Sequence, residues 1–317
     1  MSGRHRTTLL AASIGVGVGV AAAARARARA EPRPLPAWVE HLEPDTEGHR
    51  GGSGSPLLLL HGIAVTWRTW KPVLPMLERH HDVIAPTLLG HSGAAPLADD
   101  VVPSVDALVE GVIGELDRLG LDTVHVAGNS LGGWLALELA RRGRARSVVA
   151  FSPGGAFGSN FRITAMLTAM RLGLDAMETF GDRLERLALT PRGRRVLLYT
   201  QVAHPERFEP AELIADIRAI RNAPVLRPLF RVLTDHPMRE LADPGCPVRV
   251  VWPRKDRILP FRHCGAPAME KLPTAELIRL DDAGHVPMVD NPEAVSRLIM
   301  EITAEVDQRA GQPAQGG

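Results

Sequence analysis

The sequence predicts an α/β fold: a mostly parallel sheet flanked by helices, interrupted by an all-helical insertion. Three observations carry this. Short apolar runs alternate with helix-periodic stretches, the pattern of strands buried on both faces by helices. The alternation stops at about residue 158 and resumes near residue 247. Several of the predicted strands end in a motif rich in Gly, Ser, His or Asp, and open α/β sheets gather ligands at the carboxyl ends of their strands.

With 317 residues, 45% apolar and 23% charged, the chain is long enough for one sizeable core. Formal net charge is +1, but residues 1–33 carry six arginines and one Glu, which leaves about −4 for the remainder. The folded part therefore lacks the basic surface of a nucleic-acid binder. Cys246 and Cys264 are the two cysteines. They form no CxxC or Cys/His cluster, so no metal site is expected, and free thiols are expected over a disulfide.

Residues 1–36 read as a leader and linker. Arg4 and Arg6 precede an apolar run from Leu9 to Ala24, and alternating Ala and Arg follow. That order resembles a signal peptide or signal anchor, with residues 7–24 the candidate membrane contact. The 16-residue run would span about 24 Å as a helix, short of a bilayer core of about 30 Å. Arg25, Arg27, Arg29 and Arg33 oppose translocation. The alternative is a disordered leader on a cytoplasmic protein.

Residues 37–157 and 244–309 are assigned to the α/β core, 158–243 to a helical cap and 310–317 to a flexible tail. Trp38 to Ser55 is polar, with a hairpin or loop expected at Gly51–Gly54. Pro56 to Leu60 reads as a buried strand ending in His61-Gly62-Ile63. A helix is expected over 67–80 and a strand over 82–85. Ser104 is placed to cap a helix running to Leu119, with Gly120 ending it. Thr123 to Ala127 reads as a strand, Trp134 to Arg142 as a helix and Ser147 to Phe151 as a strand. In the insertion, helices are expected over 163–174, 182–189, 210–222 and 226–233. The closing alternation is strand 247–252, helix 261–272, strand 275–280 and helix 292–306.

The candidate chemistry centres on Gly128-Asn129-Ser130-Leu131-Gly132. A strand, a sharp turn and a helix in that order form a nucleophile elbow, where crowding demands glycine at Gly128 and Gly132. Alone the pentapeptide is weak, since glycine-rich turns often contain an ordinary serine. After the first strand, His61-Gly62-Ile63 could supply an oxyanion-binding N–H at Ile63, paired with that of Leu131. His61 is expected as a packing or hydrogen-bonding element of that loop. Asp256 follows a strand and could orient a histidine, although Lys255 and Arg257 beside it also fit a solvated ion cluster. His285, after Gly284, follows the last strand and could serve as base. Trp67, Trp70 and Trp134 fit core packing better than a pocket, and Phe161, Met166, Met170, Met177 and Phe180 fit either a cap core or an apolar roof.

Ser130, Asp256 and His285 each follow a separate predicted strand, in the chain order that α/β-hydrolases use. Leu60-His61-Gly62, Gly128 through Gly133, Trp252 through Pro260 and Ala283-Gly284-His285 together resemble the α/β-hydrolase superfamily, over roughly residues 56–302 including the cap. The resemblance implies a serine hydrolase in which Ser130 is nucleophile, His285 base and Asp256 its orienting acid, with no cofactor or metal and a small-molecule substrate. An ester of a small or medium apolar acyl group is the expected substrate. Epoxide hydrolases and haloalkane dehalogenases of this superfamily use Asp where Ser130 stands, which argues against both. Asn129 fits the meta-cleavage-product C–C hydrolases, but these usually carry Trp where Val286 stands, so that activity ranks second. A non-catalytic binding module on the same fold ranks third, because such proteins usually lose a member of the triad.

Overall fold

A computed structural model describes residues 35–42, 47–156, 161–233 and 237–311. The expected membrane contact at residues 7–24 lies outside them. Among the described residues no helix is long and apolar enough to cross a membrane.

Seven strands form one sheet: β1 (Gly48–Gly52), β2 (Ser55–Leu60), β3 (His81–Pro86), β4 (Val124–Asn129), β5 (Ala145–Phe151), β6 (Val248–Pro253) and β7 (Glu276–Leu280). Their order is β1-β3-β2-β4-β5-β6-β7, with β1 antiparallel to β3 and every other pairing parallel. The leucines of β2 show why the sheet needs helices on both sides. Leu57 and Leu59 point into one core, and Leu58 and Leu60 into the other, all at most 1% exposed. Burying each is worth about 1.5–3 kcal/mol.

One core is completed by α3 (Val105–Arg118) and α4 (Leu131–Arg141), through Leu108, Val112, Leu116, Leu135 and Leu139. The other receives Val295, Ile299 and Ile302 from the last helix, α11 (Pro292–Gly311), together with Trp70. Ser104 caps α3, its hydroxyl accepting from Ala107 N–H at 3.1 Å. Trp70 and Trp134 are both core residues, 0% and 3% exposed. Cys246 and Cys264 are free, and burial pushes their thiols up to about 11 and about 12.

The structure departs from the sequence reading in four places. Residues 37–40 form a short helix, α1 (Ala37–Glu40), and the expected loop before residue 55 contains β1. An edge strand made of Gly-His-Arg-Gly-Gly has no apolar alternation to reveal it; it exists because β3 offers an unpaired edge. The helix expected over 67–80 is instead a 3₁₀ turn, Trp67–Trp70, followed by α2 (Leu74–Leu77). In the insertion, the two helices expected over 163–174 and 182–189 run closer together than expected: they meet at a kink at Phe180 (φ −122°, ψ 17°) and form one bent element, α5 (Phe161–Ala188). The helix expected over 261–272 opens as a π-turn, Phe261–Gly265, before α9 (Ala266–Glu270). Pro267 has no N–H for a backbone bond into that turn.

Between β5 and β6 follow α5, α6 (Pro191–Leu197), α7 (Pro210–Arg221) and α8 (Leu226–Val232). This helical segment is latched to the sheet side by Glu212 of α7, which accepts from Arg68 at 2.9 Å and Lys71 at 2.7 Å. Burial works against the Glu212 carboxylate, but the two cations outweigh it and hold its pKa below the ordinary value.

Candidate active site

Ser130 sits between the end of β4 and the start of α4 with φ +56° and ψ −113°. Non-glycine residues rarely occupy that region, and holding one there costs on the order of 1–3 kcal/mol. The surroundings enforce it. Ser130 N–H donates to Phe151 O at 2.9 Å, and Ser130 O accepts from Gly154 N–H at 3.0 Å and Trp134 N–H at 3.1 Å. A Cβ on Gly128 would lie 2.1 Å from Gly132 O, and one on Gly132 2.1 Å from Leu60 O. The helix can therefore turn back against the strand only where both residues lack side chains.

The loop after β2 runs beside this turn. A Cβ on Gly62 would lie 3.5 Å from Ser130 Cβ, so the Gly62 backbone faces the serine across ordinary contact distance. His61 is fully buried and clamps the loop at both ring nitrogens. Nδ1–H donates to Gly62 O at 2.7 Å, and Nε2 accepts from Leu88 N–H at 2.9 Å. That pairing assigns one neutral tautomer. Burial, reinforced by the neighbouring His91, holds the imidazole pKa well below its ordinary range despite the bond to Gly62. The next residues, half-buried Ile63 and Ala64 at φ +65°, carry the loop over the elbow. Leu131 N–H belongs to the first turn of α4, where helix N–H groups have no intrahelical acceptor.

Asp256 and His285 meet although 29 residues separate them. His285 Nδ1–H donates to Asp256 Oδ2 at 2.8 Å, with the two side chains 6% and 0% exposed. The other Asp256 oxygen accepts from Ile258 N–H at 3.0 Å and Leu259 N–H at 2.7 Å. Arg254 N–H donates to Leu280 O and Lys255 N–H to Ala283 O, which draws the β6 and β7 loops together. The charges flanking Asp256 point elsewhere: Lys255 pairs with Asp282, and Arg257 stacks over Tyr199 at 4.5 Å. A solvated cluster around Asp256 is thereby ruled out.

Asn129 joins the loop of His285 to the elbow. Its Nδ2 donates to His285 O at 2.9 Å and to Phe151 O at 3.3 Å. The residue preceding Ser130 thus holds the backbone of His285. Asp290, the last residue of the short helix α10 (Pro287–Asp290), went unnoticed in the sequence. It is 0% exposed and accepts from Gly284 N–H at 2.7 Å. Its one sequence signal is a lone carboxylate ending the run Val286-Pro287-Met288-Val289. A cavity of about 810 Å³, lined by Arg68, Lys71, Phe208, Glu212 and Asn291, borders this region at Asp282, Val289 and Asp290. Among the described residues, no three His, Cys, Asp or Glu side chains gather as a metal site would need.

An imidazole anchored at Nδ1 by a buried carboxylate, tied through Asn129 to a strained serine, has the parts of a nucleophile-activating relay. Known proteins resemble this chain over most of its length. An epoxide hydrolase of Mycobacterium tuberculosis is 33% identical over 204 residues, covering 62% of this chain and 94% of the relative. A 2-hydroxymuconate semialdehyde hydrolase of a Pseudomonas species is 28% identical over 284 residues, 84% of this chain and 92% of the relative. Among solved structures, an esterase of Thermogutta terrifontis superposes with a TM-score of 0.59 at 22% identity, over 82% of this chain and 93% of the esterase. The model of the alpha/beta hydrolase family matches residues 57–298, and this chain belongs to that family.

Proposed function

We propose that the protein is a serine hydrolase acting on carboxylic esters of small or medium apolar acyl groups. Ser130 Oγ attacks the carbonyl, and His285 Nε2 takes its proton and then returns it to the leaving alcohol. Asp256 fixes the His285 tautomer and stabilises the imidazolium. The N–H groups of Ile63 and Leu131 hold the developing oxyanion, with His61 bracing the loop that carries Ile63. Water then hydrolyses the acyl-enzyme, with His285 acting again as base and acid. The observation that carries this reading is the 2.8 Å bond from His285 to the buried Asp256.

A fluorophosphonate probe tests it. Wild type becomes labelled and Ser130→Ala does not; undiminished labelling of Ser130→Ala removes serine from the mechanism. An epoxide panel runs beside it, because one relative is named for that reaction. Opening an epoxide through an enzyme ester needs a carboxylate at the elbow, and here the residue is Ser130. Epoxide turnover that survives Ser130→Ala would replace the proposal.

Cleavage of a C–C bond in a vinylogous diketone is the second reading. Asn129 and the Pseudomonas relative support it. Loss of diketone absorbance without matching esterase activity would favour it. A folded protein that reacts with no acyl substrate, diketone or probe would point to a binding module.

A further inference from the structure

His285 is held through both of its neighbours. Gly284 N–H donates to Asp290 Oδ2, and Val286 N–H donates to Gln201 O at 2.9 Å. The same Asp290 oxygen accepts from Ala203 N–H at 2.8 Å, while Oδ1 accepts from His204 N–H at 2.8 Å. Arg207 reaches the Asp290 backbone carbonyl. Gly284 lies flat against the same stretch, since a Cβ there would be 2.8 Å from Val202 Cα. Residues 201–204 belong to the segment between β5 and β6; residues 284–290 follow β7 and end in the short helix Pro287–Asp290. One fully buried carboxylate therefore bridges the two.

We infer that Asp290 is a positioning residue that couples the seating of the 201–204 segment to the placement of His285. Its two oxygens gather three backbone amides from two distant parts of the chain. Seating the segment fills the carboxylate, and the filled carboxylate fixes Gly284 one residue before the base. Unseating 201–204 would free Val286 and leave Gly284 alone on Asp290, so the imidazole would lose its register with Ser130. The inference rests on His285 being the base.

Asp290→Asn is the informative change. An amide keeps the shape but turns one oxygen into a donor, which must then face N–H of Ala203 and of either His204 or Gly284. The expected result is a kcat, per folded molecule, lowered about 10- to 100-fold, with KM changed less than about threefold. Small displacements of a catalytic group produce losses of that size. The second readout needs no substrate: the strongly downfield proton resonance of His285 Nδ1–H on Asp256, assigned by its loss in Asp256→Asn, shifts or broadens in Asp290→Asn. Gly284→Ala drives the 201–204 segment away with Asp290 intact, and should show the same kinetic and spectroscopic changes. It also decides the matter if Asp290→Asn does not fold. Folded variants with wild-type kcat and an unmoved resonance overturn the coupling. If wild type neither takes the probe nor turns over esters, the nucleophile assignment fails instead, and the resonance still tests the coupling.

Discussion

At the scale of single residues, the site depends on side chains that exist and on others that are absent. Asp256 presents one oxygen to His285 and the other to two backbone amides. Asp256→Asn therefore keeps the loop nearly isosteric while removing the charge that fixes the tautomer. Its kcat on an activated ester should fall about 10³- to 10⁴-fold, with a thermal midpoint close to wild type. Wild-type turnover in that variant would place the orienting acid elsewhere. Gly128 illustrates the opposite dependence. A methyl group there would meet the carbonyl of Gly132 at 2.1 Å, so Gly128→Ala should cost at least about 3 kcal/mol in urea unfolding. Gly128, Gly132 and Ser130 were legible in the sequence because steric demand at a sharp turn admits few residue types. Asp290 was not, because its partners are backbone amides that no residue type encodes.

At the scale of elements, the ends of the strands decide which polar clusters can react. Ser147, His125 and Asp307 contain the same atoms as a relay: His125 Nδ1 lies 2.8 Å from Ser147 Oγ, and Nε2 lies 3.0 Å from Asp307 Oδ1. They sit near the starts of β4 and β5, where His125 pairs in register with Ser147, and α11 closes over them. Five residue steps lead along the chain from His125 to Ser130, roughly 16 Å at about 3.3 Å per residue. Ser147→Ala should leave probe labelling at wild-type rate and lower stability by about 1 kcal/mol, the usual cost of a buried hydrogen bond. Lost labelling in a folded variant would show that the two clusters communicate. Element boundaries in the 158–243 stretch were read less well than those of the sheet. Strands buried on both faces announce themselves as unbroken apolar runs, whereas no change in the apolar spacing marks the kink at Phe180.

At the scale of the whole molecule, four buried histidines tie stability to pH. Burial lowers the pKa of His61, His81, His91 and His125, and His91 reaches about 4. Each would titrate near 6.5 in the unfolded chain. Between about 6.5 and the folded values, the unfolded state binds more protons, so stability rises with pH there and falls as pH drops. For His91 alone the slope is about 1.4 kcal/mol per pH unit within that window. Urea midpoints should hold steady from pH 8 to 7 and decline below about 6.5, before carboxylates begin to protonate. A flat profile down to pH 5 would contradict the burial of these rings.

The sequence by itself determined the kind of sheet, the order in which Ser130, Asp256 and His285 follow separate strands, and the glycines that the elbow cannot do without. These are local consequences of periodicity and of steric demand, so they survive being read along a line. Only the tertiary structure decided that Asp256 sheds its charged neighbours to face His285, that His61 takes Gly62 O and Leu88 N–H as its partners, and that Asp290 joins the 201–204 segment to the loop of His285. Each of those depends on groups far apart in sequence meeting away from water, where an unpaired donor or charge costs too much to leave unmet.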